Sequence, residues 1–216
     1  MLRLFFWILL IWPNTHVFAQ EVHFTTADNA KIYAEYQQRG SHAVLLAHGA
    51  IFNKESWEKF AQHLLAKNYT VLAIDFRGYG KSTQGRMARA LEEDILAGVQ
   101  FLKTRSHIKK ITVLGASMGG AAAAKANIKA NKNSIDQLIL LSPANTYPPE
   151  KLQGQLLFIA SAEEYLAPAI KTAYAKAPQP KTLQLIPGSA HAQHIFKTPQ
   201  AAHLTAIILQ FLQQAH

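Results

Sequence analysis

After residue 19 the chain alternates short β-rich runs with helical patterns, and this alternation constrains its fold more than any other feature. Two early runs, Glu21–Thr26 and Lys31–Tyr36, flank the turn formers Asp28-Asn29 and predict a hairpin. The later runs are almost wholly apolar, as in strands that are buried on both faces. A hairpin followed by repeated β-α units predicts one α/β domain whose eight-stranded, mostly parallel sheet is covered by helices on both faces.

The remaining elements follow from the same patterns. The predicted strands after the hairpin are Ala43–Ala47, Thr70–Ile74, Ile111–Leu114, Leu138–Leu141, Leu156–Ala160 and Thr182–Ile186. Helices are predicted around Trp57 to Leu65, around Leu91 to Leu102, over Met118–Asn131, and from an N-cap at Thr198 with Pro199 as first helical residue. Only Asn145–Gln155 separates the sixth strand from the seventh, so no cap domain is expected.

Composition excludes several classes of function. The chain has 216 residues, 49% of them hydrophobic, which suits one globular domain over residues 20–216. The absence of cysteine excludes disulfides, thiolate metal sites and a cysteine nucleophile. The formal charge is +9, but the basic residues are scattered, so no nucleic-acid partner is expected. This positive surface is either passive or attracts anionic ligands.

Residues 1–19 have the pattern of a secretory signal peptide. Arg3 supplies a positive start, the apolar run from Leu4 to Trp12 has the length of an h-region, and Val17-Phe18-Ala19 precedes a predicted cleavage before Gln20. The run is too short for a stop-transfer helix, although an uncleaved anchor or a buried strand remains an alternative. We therefore expect a secreted or periplasmic protein with no membrane span after cleavage.

The segment Gly115-Ala116-Ser117-Met118-Gly119 matches the pattern G-x-S-x-G between a predicted strand and a predicted helix. The chain must turn sharply there, which leaves little room for side chains beside the serine. The turn lifts the hydroxyl above the sheet and places it at a helix N-terminus, where developing negative charge is favoured. This context predicts that Ser117 is a nucleophile.

Two further motifs precede the serine in the chain, His48-Gly49 after the third strand and the segment DFRGYGKS beginning at Asp75. With the serine motif they resemble the α/β-hydrolase superfamily, in particular its small single-domain esterases and dienelactone-hydrolase-like members. The resemblance covers nearly the whole chain after residue 19. It implies an oxyanion hole formed by the backbone amides of Met118 and Ala50, with Ile51 as the alternative to Ala50. His48, Asp75 and Arg77 would then have structural roles in organising loops.

The base and the acid of such a site must follow the serine in this fold. His191, in Pro187–His191, resembles the family's glycine-x-x-histidine loop and is the predicted base, with His194 as a close competitor. His203 and the terminal His216 are expected on the surface.

The acid is predicted in the loop after the seventh strand, where the family keeps it. Alignment on Pro168 selects Glu164 in place of the family's usual aspartate, and Glu163 remains an alternative. Asp136 and Glu150 are badly placed for this role.

The expected function is that of a serine hydrolase that cleaves ester-type acyl bonds through an acyl-enzyme intermediate. Thioester and amide substrates remain open because they pass through the same tetrahedral chemistry. The partner expected is a small-molecule acyl substrate, no cofactor and no metal are expected, and the sequence leaves the oligomeric state open. The rival hypotheses are a non-catalytic binding or accessory protein on the same scaffold, and a peptidase or acyltransferase with the same triad.

Overall fold

The computed structural model describes residues 19–214. The predicted signal peptide, apart from Ala19, and the terminal His216 lie outside the described residues. Within residues 19–214, none of the helices has the length and apolar character needed to cross a lipid bilayer.

In the described part of the chain, eight strands form one sheet. They are β1 Gln20–Thr25, β2 Lys31–Gln37, β3 His42–Ala47, β4 Thr70–Ile74, β5 Lys110–Ala116, β6 Gln137–Leu141, β7 Gln155–Ser161 and β8 Lys181–Ile186. Their order across the sheet is β1-β2-β4-β3-β5-β6-β7-β8. The β1–β2 and β2–β4 pairs are antiparallel and the other pairs are parallel. The predicted eight-stranded, mostly parallel sheet is confirmed.

Residues 19–214 also form five α-helices and three short 3₁₀ helices, and one helix of each type follows the last strand. The α-helices are α1 Glu58–Ala66, α2 Leu91–Lys103, α3 Met118–Lys129, α4 Ala167–Lys176 and α5 Ala201–Leu212. The 3₁₀ helices are Lys54–Trp57, Pro149–Lys151 and Ala192–Lys197. The connection between β6 and β7, residues 142–154, holds only one of these short helices and no cap domain.

The helices pack on both faces of the sheet, because the central strands are apolar on both faces. In β3, Ala43, Leu45 and Ala47 pack on the side of α2, α3 and α4, whereas Val44 and Leu46 pack on the side of α1 and α5. All five of these side chains are fully buried. This explains why the strands contain unbroken apolar runs instead of alternating patterns.

One helix prediction needs correction, and one helix was not predicted. The last helix begins at Ala201, not at Pro199, and Gln200 is its N-cap. Thr198 instead forms the preceding turn, in which its hydroxyl and carbonyl oxygens accept the amides of Gln200 and Ala201 at 3.1 Å each. Helix α4 was not predicted, because it exposes most of its surface and buries only Ala167, Ile170 and Ala173, too few apolar residues for a clear helical period.

The parallel strands β3 to β8 all end on one edge of the sheet, and this edge collects the loops that carry the predicted site. The loops after β3, β5, β7 and β8 hold His48-Gly49, Ser117, Glu164 and His191 respectively. Crevices outside the carboxyl ends of strands are where open α/β sheets bind ligands.

Candidate active site

Ser117 lies between β5 and α3, in a backbone conformation that non-glycine residues rarely adopt. Its φ is 52° and its ψ is −112°, and it is the N-cap of α3. The conformation is held from both sides, since the Ser117 amide donates to the carbonyl of Leu141 at 2.9 Å and its carbonyl accepts the amide of Ala144 at 3.0 Å. Strained residues of this kind cost about 1–3 kcal/mol and cluster at functional sites. The sharp turn expected from the motif is therefore present.

The glycines beside Ser117 are required by close backbone approaches. A Cβ at Gly115 would lie 2.3 Å from the carbonyl oxygen of Gly119, and a Cβ at Gly119 would lie 2.4 Å from the carbonyl oxygen of Ala47. Either contact would push α3 away from the sheet. The two glycines thus bring the helix N-terminus, with its positive dipole end, up to the serine.

The side chains of Ser117, His191 and Glu164 form a continuous hydrogen-bonded chain. Ser117 Oγ lies 2.8 Å from His191 Nε2, and His191 Nδ1 lies 2.6 Å from Glu164 Oε2. A carboxylate can only accept, so Nδ1 carries the proton and Nε2 is left to accept from the serine hydroxyl. The His191 side chain is 39% exposed whereas that of Glu164 is 2% exposed. The chain therefore runs from a buried carboxylate to a solvent-accessible hydroxyl.

The Glu164 carboxylate is oriented by two donors on its other oxygen. Oε1 accepts the hydroxyl of Ser142 at 2.6 Å and the backbone amide of Ser161 at 2.9 Å, which leaves Oε2 for His191. Ser142 is fully buried, has a φ of 44°, and also accepts the amide of Ala192, next to His191. Sequence reasoning missed Ser142. Its position directly after β6 could have indicated a role, because polar residues at the carboxyl ends of strands lie where open α/β sheets bind ligands.

The competing residues lie elsewhere. Glu163 is exposed, and its backbone amide donates to the carbonyl of Gly188. The ring of His194 packs against that of Phe52 in a tilted arrangement, with centroids 5.1 Å apart. His203 is exposed on α5. The structure thus brings Glu164 and His191, and not these alternatives, to Ser117.

The loop after β3 is held in place by His48, as its predicted structural role requires. His48 Nδ1 donates to the carbonyl of Gly49 at 2.8 Å, and Nε2 accepts the amide of Phe76 at 3.2 Å. Burial lowers the pKa of His48, which favours the neutral imidazole that this pattern needs. The loop is therefore tied to the segment that follows β4.

Tyr79 links the two residues that were predicted to supply the oxyanion hole. Its hydroxyl donates to the carbonyl of Ala50 at 2.8 Å and lies 3.8 Å from the sulfur of Met118. Sequence reasoning gave Tyr79 no role, because the variable positions of its motif carry no chemical signal. The contact fixes the peptide that follows Ala50 relative to the start of α3.

The two structural residues of the segment after β4 are buried in ion pairs. Asp75 accepts the amide of Lys54 at 2.8 Å and its ammonium group at 2.9 Å. Arg77 binds both Asp28 and Asp94. These contacts agree with the loop-organising roles expected for Asp75 and Arg77.

A cavity of about 830 Å³ lies beside this site, between α1 and α5. Phe52, Ser56, Phe60, Gln193 and Phe196 contribute to its wall, whereas Ser117 and His191 do not line it. It therefore borders the loop that carries Ala50 but does not open onto the serine. Among residues 19–214 there is no cluster of three or more His, Asp or Glu side chains suited to a metal ion.

Residues 38–184 match the family Hydrolase_4, described as serine aminopeptidase, S33. The match covers more than half of the chain, so the chain belongs to this family and is a hydrolase of the α/β-hydrolase type.

Two relatives and one solved structure illustrate the similarity. The uncharacterized protein YfhR of Escherichia coli K12 is 23% identical over 80% of this chain and 73% of its own length. A non-heme chloroperoxidase of Streptomyces lividans is 26% identical over 55% of this chain, which spans only 43% of that relative. The esterase Pf2001 of Pyrococcus furiosus superimposes with a TM-score of 0.79 at 20% identity, over 91% of this chain and 92% of that one. At this identity the likeness establishes the fold alone.

Proposed function

We propose that this protein is a serine hydrolase that cleaves ester-type acyl bonds with Ser117 as nucleophile, His191 as general base and Glu164 as the carboxylate that orients it. The observation that carries the proposal is the hydrogen-bonded chain of these three side chains at the N-terminus of α3. A nucleophile in contact with a base that a third group orients is the arrangement of serine hydrolases on several unrelated folds.

The chemistry divides into two steps. His191 Nε2 takes the hydroxyl proton as Ser117 Oγ bonds to the acyl carbon, and the protonated imidazole then gives that proton to the leaving alcohol. Glu164 stabilises the imidazolium without taking its proton. In the second step His191 deprotonates a water molecule that attacks the acyl-enzyme, and the acid is released as Ser117 regains its proton.

The negative charge on the carbonyl oxygen needs fixed donors, and we assign these to the backbone amides of Met118 and Ala50. Met118 is the first residue of α3 and directly follows the nucleophile. Ala50 is preferred to Ile51 because its amide belongs to the peptide whose carbonyl, that of Gly49, accepts His48 Nδ1 and the amide of Phe52. Loss of one such donor typically lowers kcat by about 10²–10³-fold.

The loops around Ser117 favour a substrate with exposed apolar groups and no long buried chain. Ile51, Tyr147 and Tyr165 are large hydrophobic side chains that are exposed in the loops after β3, β6 and β7, on both sides of β5. The short β6–β7 connection provides no cap over them. We therefore expect short acyl esters of apolar alcohols to react faster than esters of long fatty acids.

The test combines an active-site probe with a substrate screen. A fluorophosphonate should label the protein once, and peptide mapping should place the label on Ser117. A panel of p-nitrophenyl and natural esters of graded acyl length then ranks the substrates. Labelling at another serine would contradict the role of Ser117, and no labelling of a well-folded sample would favour the non-catalytic scaffold hypothesis.

A second candidate function, aminopeptidase activity, is favoured by the description of the matched family. Amide and ester cleavage share the same tetrahedral intermediate, so the chain of Ser117, His191 and Glu164 serves both. Aminoacyl p-nitroanilides in the same screen distinguish the two, because a peptidase should turn them over and a strict esterase should not. Product analysis with alcohol acceptors tests for acyl transfer.

A further inference from the structure

Gln193 is a buried polar side chain that joins the segment of the proposed base to the loop of the proposed oxyanion hole. It lies two residues after His191, in the 3₁₀ helix Ala192–Lys197, and is 4% exposed. On the proposed function above, we infer that Gln193 is a positioning residue for catalysis: it holds the Gly49 loop so that the Ala50 amide meets the oxyanion formed at Ser117.

Both ends of the Gln193 amide are engaged with that loop. Its Oε1 accepts the backbone amide of Gly49 at 2.7 Å, and its Nε2 donates to the hydroxyl of Ser56 at 2.7 Å. Ser56 in turn donates to the carbonyl of Asn53. One side chain therefore bridges the start of the loop and the 3₁₀ helix at its end, across more than a hundred residues of sequence.

The Gly49 contact also decides which amide of the loop is available. Because the Gly49 amide already donates to Gln193, the amide of Ala50 is the first in the loop that the proposed oxyanion can use. The arrangement is compact, since a Cβ built on Gly49 would lie 3.5 Å from both Gln193 Oε1 and Ser117 Cβ. A small shift of Gly49 would thus move the proposed donor directly.

Such a shift has a large effect on rate because oxyanion donors act only when they are fixed before the charge develops. A misplacement of about 1 Å can lower a rate about 10²-fold. Tyr79 holds the carbonyl of Ala50, and Gln193 holds the amide of Gly49, the residue before it. Gln193 and Tyr79 therefore hold the Ala50 segment from opposite ends.

The chain contains a matched control, Gln137, at the opposite edge of the sheet. It is also fully buried at the start of β6, where its Nε2 donates to Gln155 and its Oε1 accepts the hydroxyl of Thr112. Gln137 therefore has the same type of buried amide network but lies far along the strands from Ser117. Removing either amide should lower stability, whereas only removal of the Gln193 amide should slow the chemistry.

The experiment compares Gln193→Met, Gln137→Met and Ser56→Ala in the full domain, with kcat and KM measured per folded molecule on the best ester found. We expect Gln193→Met to lower kcat ten- to a hundredfold with KM changed less than twofold, and to slow fluorophosphonate labelling by a similar factor. The acid limb of the pH profile should stay in place, because His191 and Glu164 keep their contacts. Gln137→Met should lower the melting temperature and leave kcat unchanged.

Ser56→Ala removes a partner of Gln193 with little risk to folding, and we expect it to lower kcat about threefold. The double variant Gln193→Met/Ser56→Ala should be no slower than Gln193→Met, since Ser56 acts through Gln193. Unchanged kcat in Gln193→Met, or in Ser56→Ala if Gln193→Met does not fold, would overturn the inference. A wild-type protein that the probe does not label would instead overturn the proposed function.

Discussion

Two buried carboxylates of this protein, Asp94 and Glu164, have similar surroundings and different consequences. Each is almost fully buried, accepts a backbone amide and pairs with a nitrogenous side chain. The partner of Asp94 is Arg77, which is always charged and whose side chain is 1% exposed. The partner of Glu164 is His191, whose imidazole ring can carry one proton or two and whose side chain is 39% exposed. Burial of a carboxylate therefore does not distinguish the two sites, whereas the chemistry of its partner does.

The Arg77 network is closed on all sides. The guanidinium binds both oxygens of Asp28, at 2.8 and 2.9 Å, and Oδ1 of Asp94 at 2.7 and 2.9 Å, and it also donates to the carbonyl of Met87. Every oxygen of the two carboxylates has a donor, so nothing is left to bind a substrate. The network ties the β1–β2 turn, the segment after β4 and helix α2 together, which is a structural task.

The largest effect that we expect is on activity, from Ser117→Ala. The substitution removes the hydroxyl that ends the hydrogen-bonded chain of Glu164, His191 and Ser117. Comparable changes in a serine protease lower kcat about 10⁶-fold. Ester hydrolysis by the variant should be below detection, while its circular dichroism spectrum should match that of the wild type. Ser106→Ala, at an exposed serine before β5, is the matched control and should retain full activity.

Next in size is the contrast between Glu164→Gln and Glu163→Gln. A neutral amide at 164 can hold the imidazole in the wrong tautomer, and the equivalent change in a serine protease lowers kcat about 10⁴-fold. That corresponds to roughly 5 kcal/mol of activation free energy. The exposed Glu163 should change kcat little. Equal losses for the two variants would mean that both carboxylates serve His191, in disagreement with the contacts described above.

Arg77→Met should have the opposite signature, with a loss of stability and little loss of rate per folded molecule. The substitution leaves Asp28 and Asp94 buried without their cation, which typically costs about 3–5 kcal/mol. Arg86→Met, at an exposed arginine in the same loop region, should change stability by less than about 0.5 kcal/mol. Denaturant unfolding of both variants tests this. An Arg77→Met variant that is stable but inactive would show that the Arg77 ion pairs are coupled to the hydrogen-bonded chain of Ser117, His191 and Glu164.

The smallest expected effect concerns acid stability. Hydrogen bonds from Arg77 hold the pKa of Asp28 well below its usual range, and the Thr26 hydroxyl adds to this effect. Because the pKa is lower in the folded than in the unfolded state, the unfolded chain binds the proton more readily. The stabilisation is therefore complete above pH about 4 and is lost as pH falls below it, an effect on the order of 2 kcal/mol for such a pair.

Asp28→Asn tests this directly. Unfolding free energies measured between pH 5 and 2 should fall less steeply with acid in the variant than in the wild type. Identical slopes would show that Asp28 has the same pKa in both states. The control is Asn29→Gly, a change at the neighbouring turn residue, whose φ is 70°. Its unfolding free energy should depend on pH as steeply as that of the wild type.

Much of the fold could be predicted because it rests on local patterns. Strand β4 has the predicted bounds Thr70–Ile74, and the other strands after the hairpin differ by one or two residues at their ends. Strands that are buried on both faces can be recognised in the sequence by their unbroken apolar runs. Helix α4 and the start of α5 were missed or misplaced, because an exposed helix has little periodicity and a Thr-Pro pair serves a turn as well as an N-cap. The signal peptide and export remain predictions.

The sequence by itself determined which residue types were available and the edge of the sheet where they would meet. It placed Ser117 at a strand-helix turn, left His191 and Glu164 each with one close competitor, and selected Ala50 over Ile51. Only the tertiary structure decided the pairings. Glu164 rather than Glu163 turns inward because Ser142 and the amide of Ser161 hold one of its oxygens. Ser161 ends β7, three residues before Glu164, but Ser142 follows the neighbouring strand β6.

The supporting residues depend most strongly on tertiary structure. Ser142 and Gln193 belong to no motif and Tyr79 occupies a variable position of one, and each contacts the proposed site across a gap of 22 or more residues in sequence. A hydrogen bond requires two atoms within about 3 Å, and a sequence pattern records the period of one element, not the distance between two. For this reason the strands, most of the helices and the proposed nucleophile could be predicted from the sequence, whereas the contacts that hold the site together needed the folded structure.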